Sequence, residues 1–171
     1  MFECDPRREK AMADPVAPSA LQCLSFLARA SDEEVRKLAS IATWANYTAG
    51  TVLFREGDKV DRIWIVITGK IAIEILGAEH RLHHVQTISD GEILAWSPFL
   101  GMGPMTAAAK ALTDVHSVAL DVVALNSLCE SDPRFGYQFM RRVAAAIASR
   151  LHSMRLEVSK YYQYVAPISH L

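Results

Sequence analysis

The segment "DGEILAWSPFLGMGPMTAAAKA", Asp90 to Ala111, holds the residue types best spaced to do chemistry. Glu92 stands between Gly91 and the apolar pair Ile93-Leu94, where the chain is expected to turn inward. A carboxylate is rarely withdrawn from water without a partner. Two readings stay open for Glu92: it caps its own turn and faces solvent, or it lines a pocket and accepts from a ligand hydroxyl. Trp96 carries a similar pair of readings, a surface for stacking on a ligand ring or an apolar plug at the mouth of a barrel. A strand unusually rich in small residues, Ala107 to Ala111, follows.

Three histidines, His80, His83 and His84, form the second cluster with chemistry in it, and a metal or haem ligand is the sharp reading. Neighbours in a strand point to opposite faces, however, so His83 and His84 cannot converge on one ion. No metal site is expected. Ser-His-Asp, H-E-x-x-H and P-loop patterns are absent from the sequence, so no catalytic residues and no enzyme are expected. Cys4, Cys23 and Cys129 lie far apart with no C-x-x-C pair, which suits free thiols in a reducing cytoplasm.

These residues need a scaffold, and its periods are readable. "ALQCLSFLARA" places Leu21, Leu24 and Ala28 on one helical face, with Leu27 beside them. "SDEEVRKLASIA" opens on Ser31 with Glu34 three residues later, the spacing of a capping box. From Trp44 the chain turns rich in Ile, Val, Thr and aromatics, divided by Gly50, Gly57, Gly69 and Gly77. "RIWIVITGKIAIEIL" predicts a hairpin about Gly69-Lys70, and its second run alternates as a strand with one wet face. "HRLHHVQTI" and "VHSVALD" add strands, and the set predicts a small antiparallel barrel or jelly roll.

After Asp121 the helical period returns, with a short helix and then a long one over about residues 133–163. Phe135, Phe139, Val143, Ile147, Leu151, Met154, Val158 and Tyr161 follow at steps of three or four. That stripe spans about 40 Å at 1.5 Å per residue, more than a small barrel covers. Residues 1–18, with Pro6, Pro15 and Pro18, read as a flexible leader, and residues 19–165 as one domain.

The chain of 171 residues is 51% hydrophobic and 22% charged, which is globular rather than disordered. A net charge of -1 supplies no field for nucleic acid or an anionic membrane. The leader lacks a signal peptide's apolar stretch, and no apolar run is long enough to span a bilayer, so a cytoplasmic protein is expected.

Taken together, Gly50, "REGD", "IWIVITGKI", "DGEIL" and "PMTAAAKA", between N-terminal helices and a long C-terminal helix, resemble the cyclic-nucleotide-binding domain. "GEILAWS" is most similar to small stand-alone bacterial members. The resemblance implies a mainly β fold: an eight-stranded, cupin-like antiparallel jelly-roll barrel with flanking helices. It implies a ligand site at Gly91, Glu92, Ile93, Leu94, Met105, Thr106 and Ala107. There the carboxylate accepts from a ribose hydroxyl, and turn amides face a cyclic phosphate. Where such domains read P-R-[ST]-A-T, this chain reads Pro104-Met105-Thr106-Ala107-Ala108, and extra residues about Gly101 to Gly103 lengthen the turn. Met105 replaces the phosphate arginine, and Lys110 lacks the planar fork that meets two oxygens together.

The expectation is a regulatory module that binds cyclic AMP or cyclic GMP weakly, or another small ligand, with no resident cofactor. The alternative is a ligand-free dimeric scaffold. Activator-type relatives dimerise through the long helix, which implies a homodimer along Val143, Ile147, Leu151, Met154 and Val158. Those relatives carry a helix-turn-helix beyond that helix. None follows it in this sequence, so direct DNA binding is not expected.

Overall fold

A computed structural model of the chain describes residues 15–77 and 81–165, with side chains through residue 160. Of the expected leader, residues 1–14 lie outside the described residues. Its last part is docked: Pro15 bridges Thr43 and Val16 is buried.

The "ALQCLSFLARA" segment is broken where one helix was expected. It forms α1, Pro18–Gln22, and a separate 3₁₀ turn, Ser25–Leu27, with Leu24 extended between them. Leu21, Leu24 and Leu27 are still buried, whereas Ala28 is exposed. Beyond it, α2 spans Asp32–Ile41. The capping box closes as its spacing predicts, Glu34 N–H donating to Ser31 Oγ at 3.2 Å and Ser31 N–H to Glu34 Oε2 at 2.7 Å.

Eight strands follow: β1 Ala42–Tyr47, β2 Val52–Phe54, β3 Arg62–Thr68, β4 Ile71–Leu76, β5 Leu82–Ile88, β6 Ile93–Leu94, β7 Ala108–Ala111 and β8 Val115–Asp121. They form two four-stranded antiparallel sheets, β1-β8-β3-β6 and β2-β7-β4-β5, a jelly roll that does not close into a continuous barrel. The first sheet is buried on both faces. Trp64, Val66, Leu94 and Ala119 point to the interior between the sheets, while Ile63, Ile65, Ile93 and Leu120 pack under the helices. This explains the near-continuous apolar run of β3, since a strand covered on both sides has no wet face to alternate with.

Two local expectations are corrected. Gly69-Lys70 does not join a hairpin, because β3 pairs with β6 and β8 while β4 pairs with β5 and β7. The turn carries the chain from one sheet to the other. Gly69, at φ +114°, passes so close to Asp114 that a Cβ would lie 2.4 Å from its carbonyl oxygen. Nor does β4 alternate: Ile71 and Ala72 are buried, Ile73 and Glu74 half-buried, Ile75 and Leu76 exposed. A register shift between Ile73 and Glu74 interrupts the period as the strand runs out of the sandwich.

The chain finishes with α3, Val122–Ser131, and α4, Pro133–Val165. Asp132 Oδ1 accepts from Arg134 and Phe135 N–H at 3.1 Å each, satisfying two donors of the first turn of α4. Phe139 is fully buried and meets Phe26 and Phe99 edge-on, at centroid distances of 5.7 and 5.3 Å. One α4 ring thereby fixes the 3₁₀ turn and the segment that follows β6.

Candidate ligand-binding site

Gly91 forms the bend of the "DGEIL" turn at φ +78°, where an L side chain is strained, and its surroundings exclude one as well. A Cβ there would lie 2.4 Å from Ser25 Oγ. Ser25 Oγ and Phe26 N–H both donate to the Gly91 carbonyl, at 3.2 and 3.3 Å. The turn is held to β3 by Gly91 N–H to Val66 O at 2.7 Å and Val66 N–H to Glu92 O at 3.0 Å. Asp90 Oδ1 accepts from Gly69 N–H at 2.8 Å.

Both readings of Glu92 describe part of its geometry. One carboxylate oxygen accepts from Ser89 N–H at 2.7 Å, closing its own turn. The side chain is half-buried and lines a cavity between this turn and the helices. The next two residues separate. Ile93 packs into the helix-side core and Leu94 into the inter-sheet core, because successive strand residues face opposite ways.

Met105 is only 6% exposed and joins the inter-sheet core with Phe54, Trp64 and Leu94. Its backbone is fixed to the β2–β3 connection, Met105 N–H donating to Asp58 O at 2.9 Å and Gly57 N–H to Met105 O at 2.7 Å. Thr106 is exposed and Ala107 half-buried. The small residues of β7 have a packing reason, since Ala109 and Ala111 are buried in the inter-sheet core. Lys110 lies between them and is exposed. Among the described residues, Trp64 Nε1 is the buried side-chain polar atom left without a hydrogen-bond partner, and it belongs to this same apolar cluster.

A residue outside the apolar stripe of the long helix belongs to the site. Arg150 of α4 is 9% exposed, its guanidinium carbon 4.2 Å from the Trp96 ring centroid. It donates to the Ile93 carbonyl. Burial lowers its pKa to about 10, the negative charge of Glu92 opposing that shift, so it stays a cation at neutral pH. Trp96 is half-buried against the helix-side core, with Arg150 covering its face. The signal was available: Arg150 lies seven residues after buried Val143 and three after Ile147, on the continuing inward face.

A second clamp ties α4 to α2. Arg142 donates to both carboxylate oxygens of Glu34, at 3.1 and 3.3 Å. Burial disfavours the Glu34 charge, but the hydrogen bonds from Arg142 and Ser31 outweigh it and hold the pKa below its ordinary value. Along α4, Phe135, Phe139 and Val143 are buried and Ile147 half-buried, while Leu151, Met154 and Val158 are exposed at 47%, 43% and 54%.

His83 and His84 do not form a metal-binding group with other described residues. His83 and His84 are exposed on β5, and His84 Nε2 lies 3.0 Å from Thr87 Oγ1, while His80 lies outside the described residues. Among the described residues, no group of three or more His, Cys, Asp or Glu side chains is placed to hold a metal, and no helix is long and apolar enough to cross a membrane.

Comparison with known proteins bears on this arrangement. The sequence profile described as "Cyclic nucleotide-binding domain" matches residues 44–132, more than half of the chain. A CRP-like cAMP-activated global transcriptional regulator of Mycobacterium tuberculosis is 27% identical over 99 residues, covering 58% of this chain and 44% of the regulator. The chain therefore spans less than half the length of that relative. A cyclic nucleotide-binding domain from Methylobacillus flagellatus superposes with a TM-score of 0.79 at 18% identity, covering 97% of this chain and 92% of that one. The N-terminal domain of a transcriptional regulator from Streptomyces coelicolor gives a TM-score of 0.65 at 25% identity, covering 77% of this chain and 94% of that one.

Proposed function

Because this chain belongs to the cyclic nucleotide-binding domain family, we propose that it is a small-molecule-binding regulatory module whose affinity for cyclic nucleotide is weakened at the phosphate position. The observation that carries this reading is Met105, a buried thioether packed among Phe54, Trp64 and Leu94, three residues before β7. A thioether offers an anion no charge-assisted donor. Truncating one partner of a buried charge pair costs about 2–5 kcal/mol, roughly 30- to 3,000-fold in affinity. A site of micromolar affinity would then bind in the range of about tens of micromolar to millimolar.

The turn itself supports ligand binding of this type. The backbone of Gly91 to Leu94 is held by β3 and the 3₁₀ turn, and Thr106 keeps an exposed hydroxyl. Ligand occupancy would reach α4 through Arg150, which already touches the turn at Ile93 and stacks on Trp96. In this reading the protein is a binding protein rather than an enzyme.

Isothermal titration with cyclic AMP and cyclic GMP tests the reading. Dissociation constants no tighter than about tens of micromolar are expected, and Met105→Arg should tighten binding about tenfold or more, one charge-assisted contact being worth about 1.5–3 kcal/mol. Adding Glu92→Ala should remove most of that gain. Submicromolar binding by the wild type, or no gain from Met105→Arg, would overturn the assignment to Met105.

The second reading, a ligand-free homodimeric scaffold, draws on the exposed apolar face of α4 at Leu151, Met154 and Val158. A contiguous apolar seam of this kind suits a helix–helix contact between two copies. The two readings are compatible in one respect, since a dimer along α4 is also the means by which a bound ligand would be sensed.

A further inference from the structure

The cavity on the helix side of the turn is separate from the inter-sheet core that holds Met105. It has a volume of about 400 Å³ and is walled by the 3₁₀ turn, by Gly91 to Ile93 and by α4 from Arg142 to Arg150. None of Leu94, Met105, Thr106 and Ala107 lines it. The first sheet stands between the two regions, as the opposed packing of Ile93 and Leu94 shows. The volume lies within the range of small-ligand sites, roughly 300–1,000 Å³.

The chemistry of the walls is specific. Phe26, Ile93 and the alanines of α4 supply an apolar body, and three arginines, Arg29, Arg142 and Arg150, reach it against one carboxylate, Glu92. Arg142 is already matched by Glu34 in a two-oxygen bridge. Arg29 is exposed at the wall and meets no carboxylate among the described residues. Arg150 is nine-tenths buried, yet among the described residues its guanidinium has one hydrogen-bond acceptor, the Ile93 carbonyl. A guanidinium carries five N–H donors in a planar fork, so most of its hydrogen-bonding capacity is unspent. A buried cation in that condition calls for an acceptor.

The geometry points to a second binding site, for a small monoanionic carboxylic acid with an apolar body, seated between the turn and α4 with its carboxylate on Arg150 and Arg29. A carboxylate is the planar match for a guanidinium edge, and one negative charge balances the one arginine left unmatched once Glu34 and Glu92 are counted. This site shares the Gly91 to Ile93 turn with the position assigned to cyclic nucleotide, but lies across the first sheet from Met105. Its occupant would touch α4 at Arg150, immediately before the exposed residues that begin at Leu151.

The test uses the full chain labelled with nitrogen-15, following the Trp96 indole N–H, assigned with Trp96→Phe. Sodium benzoate and sodium octanoate are titrated beside their uncharged counterparts benzamide and octanol, and cyclic AMP is titrated separately and in competition. At least one acid should give a saturable Trp96 shift at millimolar concentration or below, and its uncharged counterpart should not. Arg150→Lys should weaken the acid about tenfold or more, because the ammonium lacks the fork. Arg29→Ala, an exposed change that leaves the core untouched, should weaken it severalfold, and it carries the test alone if Arg150→Lys does not fold. Met105→Arg should leave acid binding unchanged. No saturable response to either acid overturns the proposal, as does equal binding of acid and uncharged counterpart, or unaltered affinity in the arginine variants. Simple competition by cyclic AMP would show one site where two are inferred. Failure of cyclic AMP to bind at all bears on the Met105 reading and leaves this site standing.

Discussion

Gly91→Ala measures how tightly the 3₁₀ turn braces the "DGEIL" turn, and its effect can be worked from three contacts. At φ +78° a Cβ costs about 1–2 kcal/mol in left-handed strain. That Cβ would also sit 2.4 Å from Ser25 Oγ, 3.2 Å from Ser25 N and 3.3 Å from Ser25 Cβ. The hydroxyl must swing away and gives up its bond to the Gly91 carbonyl, worth about 0.5–1.5 kcal/mol. The sum is about 1.5–3.5 kcal/mol, or roughly 3–14 °C in Tm for a chain of this size. Urea unfolding of Gly91→Ala, Ser25→Ala and the double variant completes a cycle. Removing Oγ relieves the shortest contact, so the double variant should be more stable than the two single effects added predict, while the strain at φ +78° persists. A loss below about 0.5 kcal/mol for Gly91→Ala would refute the bracing, since surface changes that disturb nothing fall in that range. Strict additivity would refute the role of Ser25.

Two further outcomes follow from α4. Glu34 has a lowered folded pKa, so its pairing stabilises the fold fully above its ordinary value of 4.5 and that contribution is lost as pH falls through the lower folded value. Glu34→Gln should cost about 1–3 kcal/mol at pH 7 and flatten the fall in stability below pH 4.5, and an unchanged acid limb would remove Glu34 from the account. Light scattering at micromolar concentration should give a dimer for the wild type and a monomer for Leu151→Glu with Met154→Glu; a wild-type mass near 18.9 kDa ends the homodimer reading.

What could be read without coordinates was mostly local. Ser31 and Glu34 announce their capping box because both partners lie within one turn. That Glu34 also receives Arg142 was hidden, since nothing local links residues 108 apart in sequence. The strand set and its jelly-roll character followed from β-branched runs and glycine punctuation. Gly69-Lys70 misled because turn chemistry shows that the chain reverses and is silent on which sheet receives it. The position of Met105 relative to "DGEIL" was legible, whereas its burial beside Trp64 required the packed sheets. Arg150 was obscured by its charge: periodicity placed it on the inward face, but an arginine is read as outward until a tryptophan and a carbonyl are seen waiting for it.

The way α4 is fastened has a mechanical consequence. Its first part is pinned by Phe135, Phe139, Val143 and the Arg142–Glu34 clamp, and Arg150 is the last buried point. Beyond that the helix runs to Val165 with every described side chain exposed, a free arm of about 22 Å at 1.5 Å per residue. Arg150 is therefore a fulcrum. A tilt of about 10° there displaces the far end by about 4 Å on an arm of that length, with no strand leaving its sheet. An adjustment of a few tenths of an ångström around one guanidinium can thus be delivered at the tip as a movement the size of a side chain.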